Sequence, residues 1–250
     1  MRQGKPQART LGAVLVAGAL WAGGCATAQV PDGAAKAADA ETSAGTAGRP
    51  LSVKQLKTLA LREAEVPQAG PGGTPVQERK LRAGRPSFPP VSDPACQEVL
   101  EVSRGEGAFA AVEQVFNWKD SLWAGSSILA SYKGTGAQEA FARLQAGVET
   151  CTSYSGTGYV GEFRARLAVE SPPRTGDEAV SYRTVIPLEE HLLGVEETTG
   201  EDPLRQEQTV VVLVGTTIAT FNMLDVDGSA SFPPDLIDIQ VDRLKRAQRR

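Results

Sequence analysis

TVVVLVGTTIATFNML, Thr209 to Leu224, holds the two most apolar runs of the chain outside its first 25 residues. Thr209 to Val214 and Thr217 to Leu224 each have the length of a strand. Gly215-Thr216 between them suits a tight hairpin turn with glycine at the first central position. An antiparallel pair is therefore the seed from which the neighbouring segments are read.

Phe163, Ala165, Leu167 and Val169 alternate with Arg164, Arg166 and Ala168, the pattern of a half-exposed strand. Pro172 to Gly176 turns the chain, and Val180, Tyr182, Thr184 and Ile186 alternate as the hairpin partner. Glu189 to Glu207 is acidic, contains Gly194, Gly200 and Pro203, and reads as a mobile loop. Leu122 to Tyr132 is aromatic and partly β-branched and reads as a fifth strand.

Four helices surround these strands. Ser52 to Gln55 is a capping-box pattern, followed by Val53, Leu56, Ala60 and Ala64 on one stripe and stopped by Pro67. Asp93 can cap a second helix, with Pro94 at its first position and Cys96, Val99, Leu100 and Ser103 on one face. Thr135 to Gln138 is a second capping-box pattern, and Ala137, Phe141, Leu144, Val148 and Cys151 form an inward stripe. Pro233-Pro234 opens a last helix carrying Ile237, Val241, Leu244 and Gln248 on one stripe, whose basic end (Lys245, Arg246, Arg249, Arg250) complements the helix dipole. That end reads as solvated and frayed rather than as a contact for anionic headgroups. About five antiparallel strands in hairpins, with helices grouped elsewhere, make an α+β fold: one twisted sheet flanked by helices, in a single domain over residues 51–250.

The N-terminus decides the compartment. Arg2, Lys5 and Arg9 precede an apolar run from Leu11 to Trp21, and Ala22-Gly23-Gly24-Cys25 follows. The run is too short for a bilayer core needing about 20 residues, but it has the charge, length and small-residue end of a secretory signal. Cys after small residues resembles a bacterial lipobox. Residues 1–24 then form a lipoprotein signal peptide, and Cys25 becomes the lipidated first residue; an ordinary secretory signal cut near Ala22 or Ala26 is the alternative. Residues 25–50 are rich in Ala, Gly, Thr and Ser and form a disordered tether with a reach of roughly 25–30 Å. The domain is placed on the extracytoplasmic face of the cell membrane.

Without residues 1–24 the chain carries 23 basic and 30 acidic residues, a formal −7. That excess argues against a nucleic-acid partner, which needs a basic field. With Cys25 lipidated, Cys96 and Cys151 form the natural pair; two buried free thiols are the other reading. The loop so closed would contribute about 4 kcal/mol in the chain-entropy picture.

Several segments in order resemble one family: Leu56-Lys57 through Val66-Pro67, Ser92-Asp93-Pro94-Ala95-Cys96, Ala130-Ser131-Tyr132, and the Phe141 to Cys151 helix ending in Cys. Gly176-Asp177-Glu178-Ala179, the Thr209 to Leu224 hairpin and the final helix continue the pattern. The chain resembles, over roughly residues 51–248, the PknH-like extracellular sensor domain found in actinobacterial lipoproteins. The resemblance implies a twisted antiparallel sheet flanked by helices, with a cleft for an unknown ligand. Better-known members carry two disulfides, and this chain can form only one. No kinase segment accompanies the domain: there is no Gly-rich loop on a strand and no His-Arg-Asp catalytic loop.

Motifs of catalysis and cofactor binding are weak. Gly156 to Gly161 satisfies G-x-G-x-x-G, but a helix precedes it and a strand follows, the reverse of a dinucleotide site. Asp225-Val226-Asp227-Gly228 lacks the closing Glu of a calcium loop. His191 is the only histidine, too few for a zinc site or a serine triad, so no metal and no cofactor is expected. Trp118, Trp123, Tyr132 and Tyr182 are the candidates to line a cleft, with core packing the commoner role of aromatics. Trp123 and Tyr132 sit an odd number apart and face opposite sides of one strand. The expected function is a membrane-anchored lipoprotein that binds an envelope ligand or partner without catalysis. The alternative is a cell-wall hydrolase, which needs two carboxylates about 5–10 Å apart in a cleft.

Overall fold

Gly215 sits at φ 52° in the turn of the central hairpin, so the expected glycine turn is present. Its strands are β7 (Leu204–Val214) and β8 (Thr217–Val226), paired antiparallel from Val214↔Thr217 to Arg205↔Val226. The computed structural model describes residues 48–81, 88–158, 161–188, 203–226, 228 and 231–249, within one compact unit, Ala44–Arg250. The leader, Cys25, the tether up to residue 47, Asp227 and the loop 189–202 with His191 lie outside the described residues.

Among the described residues the sheet has eight strands rather than five. Besides β7 and β8 these are β1 (Val76–Glu78), β2 (Ala110–Phe116), β3 (Gly125–Ser131), β4 (Ser153–Gly158), β5 (Gly161–Glu170) and β6 (Glu178–Pro187). The order is β1-β2-β3-β8-β7-β6-β5-β4, every neighbour antiparallel. Three strands escaped the pattern for different reasons. β1 has three residues. β2 places apolar groups toward both faces and so shows no alternation. β4, Ser-Tyr-Ser-Gly-Thr-Gly, has the composition of a loop and is a strand only because β5 pairs with it. Two boundaries also move: β3 starts at Gly125 rather than Leu122, and β7 takes Leu204 to Glu207 from the acidic loop.

The helices are α1 (Val53–Leu59), α2 (Pro94–Ser103), α3 (Gly136–Thr150) and α4 (Pro234–Gln248). At α1 the Ser52 and Gln55 capping box is formed. Its stripe was expected to run to Ala64, but the helix ends at Leu59. Buried Gln114 bonds both backbone groups of Leu61, at 3.1 Å to N–H and 2.8 Å to C=O, and holds that residue extended. Asp93 caps α2, accepting from Cys96 N–H at 2.9 Å. The capping box expected at α3 is absent. Thr135 donates its hydroxyl to Glu139 at 2.6 Å, and Gln138 reaches across to the Gly215 carbonyl at 2.9 Å.

Helices cover the sheet on both sides. α2 and α3 pack together on one face, over Ala111, Ile128, Ala130, Val180, Tyr182, Val211, Leu213 and Ile218. α1 and α4 cover the other, over Val112, Leu129, Val210, Val212, Ala219 and Phe221. Consecutive valines of β7 thus enter opposite cores, which is why the strand is apolar without alternation. Arg164 and Arg166 of β5 lie beyond α1 and α4 on an open quarter of the second face and are exposed.

Cys96 and Cys151 are bonded, with Cα atoms 4.9 Å apart, joining α2 to the end of α3. Gly147 lets the helices touch: a Cβ there would stand 2.7 Å from Val99 Cγ2. Replacing both cysteines with alanine is expected to lower the unfolding free energy by about 3–4 kcal/mol. Urea denaturation measures it, and an unchanged midpoint would show that helix packing alone holds α2.

Candidate ligand-binding face

The α2/α3 face divides into two halves. Beneath the helices it is apolar. Past the end of α2 a polar row crosses it: Ser126 of β3, Asn222 of β8, Thr209 of β7 and Tyr182 of β6 are successive cross-strand neighbours. The next row is Leu224, Glu207, Thr184 and Leu167. Alternation puts these residues on one face because each lies an even number of positions from a core residue of that face.

Burial shapes the chemistry of this row. Tyr182 is fully buried and shares a 2.8 Å hydrogen bond with Ser103 at the end of α2. Burial raises its phenol pKa, and that of Tyr154 beside it is pushed up to about 12, also by burial, so both stay neutral hydroxyls. Asn222 keeps its Oδ1 buried with no hydrogen-bond partner among the described residues. A buried acceptor left unpaired is costly and marks a place where a donor is wanted.

Charges frame the row. Arg104 follows α2, half-buried, with its guanidinium 4.7 Å from the Phe88 ring centre. Burial lowers its pKa, while the charges of Glu207 and Glu113 oppose that and Arg79 adds to it. Arg79 donates to the Arg104 carbonyl at 3.0 Å and pairs with Glu113 at 3.1 Å. Arg205 stands 3.6 Å from Glu207. Signs alternate, so the face offers both donors and acceptors rather than one dominant field.

Of the aromatic candidates, only Tyr182 belongs here. Tyr132 is buried toward the opposite sheet end, donating to the Glu106 carbonyl at 3.1 Å. Trp118 stacks on Phe116 at 5.4 Å on the α1/α4 face. Trp123 lies outside any strand, in the β2–β3 connection, partly exposed. The four do not converge. Sequence reasoning passed over Ser126, Asn222, Thr209, Glu207 and Arg104. The one available signal was Asn222, an amide inside an apolar strand.

A second recess of about 460 Å³ lies between α1 and α4, lined by Thr58, Arg62, Glu65, Ile239, Asp242, Arg243 and Arg246. Glu65 accepts from Arg62 at 2.6 Å, and its two oxygens accept from Arg243 Nη2 at 2.6 and 2.7 Å. Those bonds, Arg62 first, hold its carboxyl at about 2. Arg243 also donates to the Leu59 and Ala60 carbonyls, so this cluster closes the end of α1. The lining is already paired at its centre and reads as a structural clamp.

The other motifs have structural roles. Gly156 and Gly158 belong to β4 and Gly161 opens β5, so the glycine pattern is part of a hairpin. Asp225 Oδ1 accepts from Val226 N–H at 2.8 Å. Among the described residues no group of three His, Cys, Asp or Glu is placed to hold a metal ion, and no helix is long and apolar enough to cross a membrane.

No family model matches the chain, and no curated protein matches it. Among solved structures it is similar to the extracellular domain of PknH from Mycobacterium tuberculosis, at 15% identity and a TM-score of 0.53, covering 80% of this chain and 99% of that one. The likeness shows the fold, one antiparallel sheet with helices, as the sequence resemblance implied.

Two outcomes follow. Tyr182→Phe leaves buried Ser103 without its partner and should cost about 1–2 kcal/mol in a thermal melt. Glu65 is depressed in the folded state, so its contribution is present above the ordinary carboxylate range and is lost as pH falls from about 4.5 toward 2. Stability curves of wild type and Glu65→Gln should converge over that window. Parallel curves would show that ionisation of Glu65 contributes nothing to the clamp.

Proposed function

We propose that the chain is an extracytoplasmic lipoprotein, cut after residue 24 and anchored by lipid on Cys25, whose domain binds an envelope ligand or partner at the polar half of the α2/α3 face. It is a sensor-like module without catalysis. The observation carrying this reading is the buried, unpartnered Asn222 Oδ1 within a polar row at the edge of an apolar core. Such a group is tolerated where a bound molecule completes its hydrogen bond. The fold it shares with an extracellular domain supports the placement outside the cytoplasm.

The carboxylates of this face support binding over hydrolysis. Glu113 and Glu207 stand three strands and several residues apart in the register, roughly 20 Å between backbones. That exceeds the separation of a glycosidase pair. Each also faces an arginine.

The test has two arms. Membrane fractionation of Cys25→Ala should move the protein to the soluble fraction; unchanged retention would overturn the lipid anchor. Native lipoprotein is then purified and its co-purifying molecule identified by mass spectrometry. Asn222→Leu, with an unaltered melting point, should reduce that recovery at least tenfold. Undiminished recovery would place the ligand elsewhere.

A further inference from the structure

We propose that the β2–β3 apex is a second membrane contact, in which Leu122 and Trp123 enter the lipid interface and lay the domain along the membrane that anchors it. Leu122 is 98% exposed and Trp123 38%, adjacent in sequence at the tip of a hairpin. The apex is ordered. Ser121 Oγ accepts from Trp123 N–H at 3.0 Å and donates to the Trp123 carbonyl at 3.2 Å. Its base is fastened by Lys119, whose backbone N–H donates to the Gln68 carbonyl at 2.9 Å and whose ammonium donates to the Pro67 carbonyl at 2.7 Å. Trp118, packed on Phe116 and Phe232, closes the side toward the core. Leu122 is thus held almost wholly in solvent, with Trp123 beside it keeping more than a third of its surface open. Isolated exposed apolar residues are ordinary, but an adjacent Leu-Trp pair on a braced, protruding turn marks an interaction site.

The shape and the attachment select the occupant. A convex apex suits a fluid interface, where indole rings settle at headgroup depth and an aliphatic chain reaches the acyl boundary. The formal charges of Lys119 and Asp120 cancel, so attraction to anionic lipid is not what brings it there. The chain enters the domain at the opposite sheet end: Leu51 N–H donates to Ser131 Oγ at the last residue of β3, and the apex follows from its first, Gly125. Root and apex are therefore about 20–25 Å apart along the strand. A flexible chain of the length from Cys25 to Gly48 reaches roughly 25–30 Å, enough for both to touch one bilayer. This orientation rests on the lipid anchor proposed above, whereas the apex contact itself does not.

The experiment uses the chain from residue 25 on, unlipidated as Cys25→Ser. In it Trp118 and Trp123 are the only tryptophans, and Trp118→Phe leaves Trp123 as the sole probe. The protein is titrated with phosphatidylcholine vesicles, with and without phosphatidylglycerol, and with phosphatidylcholine brominated on the acyl chain. Trp123 emission should shift to the blue equally on both lipid surfaces, and bromine near the headgroup end should quench it. Leu122→Asp, with an unchanged melting point, should weaken partitioning at least tenfold. No shift and no quenching on any vesicle would overturn the proposal. So would binding that Leu122→Asp leaves intact. Binding confined to anionic vesicles and abolished by salt would also overturn it, and would assign the contact to basic residues instead. Because lipidation is absent throughout, the outcome is independent of the Cys25→Ala fractionation, and either reading can fail alone.

Discussion

The structure depends on burying both faces of β3, β8 and β7. Val211 and Leu213 enter one core while Val210, Val212 and Val214 enter the other. This double burial removes the usual safeguard of register. In a sheet with one wet face a one-residue slip would expose the apolar set. Here both sets are apolar and a slip would change little inside. Register is fixed instead at the turn. Gly215 takes a positive φ that side chains resist, and its N–H donates to Asp177 at 2.7 Å. Thr216 donates backbone and hydroxyl to Gln248 at 3.0 and 3.1 Å, and accepts from Tyr132 N–H at 2.8 Å. The end of α4 is therefore pinned to the hairpin rather than frayed, and its last side chain helps align the strands.

Double burial also explains where the polar chemistry lies. α2 and α3 shield only part of their face, and the same strands continue past them. β8 carries Ile218 under the helices and Asn222 beyond, and β7 carries Val211 beneath and Glu207 beyond. The first residues of each pair pack the core, and the second carry the polar groups. Tyr182 and Ser103 sit at the boundary, where their shared hydrogen bond lets a phenol be buried. The disulfide fixes α2 at its start, and Arg104 follows its end, so the helix bears on both halves.

Most of the fold was legible in the sequence wherever one residue type forces one geometry. The Gly215 hairpin, the Asp93 cap before Pro94, the Ser52 capping box and the alternation of β5 are all local signals. The losses came from non-local causes. β4 has no strand signal and exists through its partner, and α1 stops early because of Gln114, 53 positions from Leu61. The candidate face was least legible. Its residues come from four strands and one helix end, and nothing in the order of the chain says that Ser126 and Asn222 will be neighbours. Aromatic content was a poor guide, because Trp118 and Tyr132 went to packing and Trp123 to an apex.

A shared fold at 15% identity follows from what the fold requires. Its core needs apolar side chains of suitable volume on both faces, and many sequences provide that. Its turns need a few particular residues, and two of them, Gly176 and Gly215, lie in segments that carried the resemblance. The polar rows past α2 are under neither demand, since they are neither packed between helices nor part of a turn. They can change while the sheet stays the same. The likeness therefore reaches the scaffold, and the proposed ligand site rests on Ser126, Asn222, Thr209, Glu207 and Arg104 as they stand in this chain. In the proposed binding role, a buried acceptor without a partner, beside hydroxyls and oppositely charged pairs, suits a molecule that brings at least one donor and no large net charge.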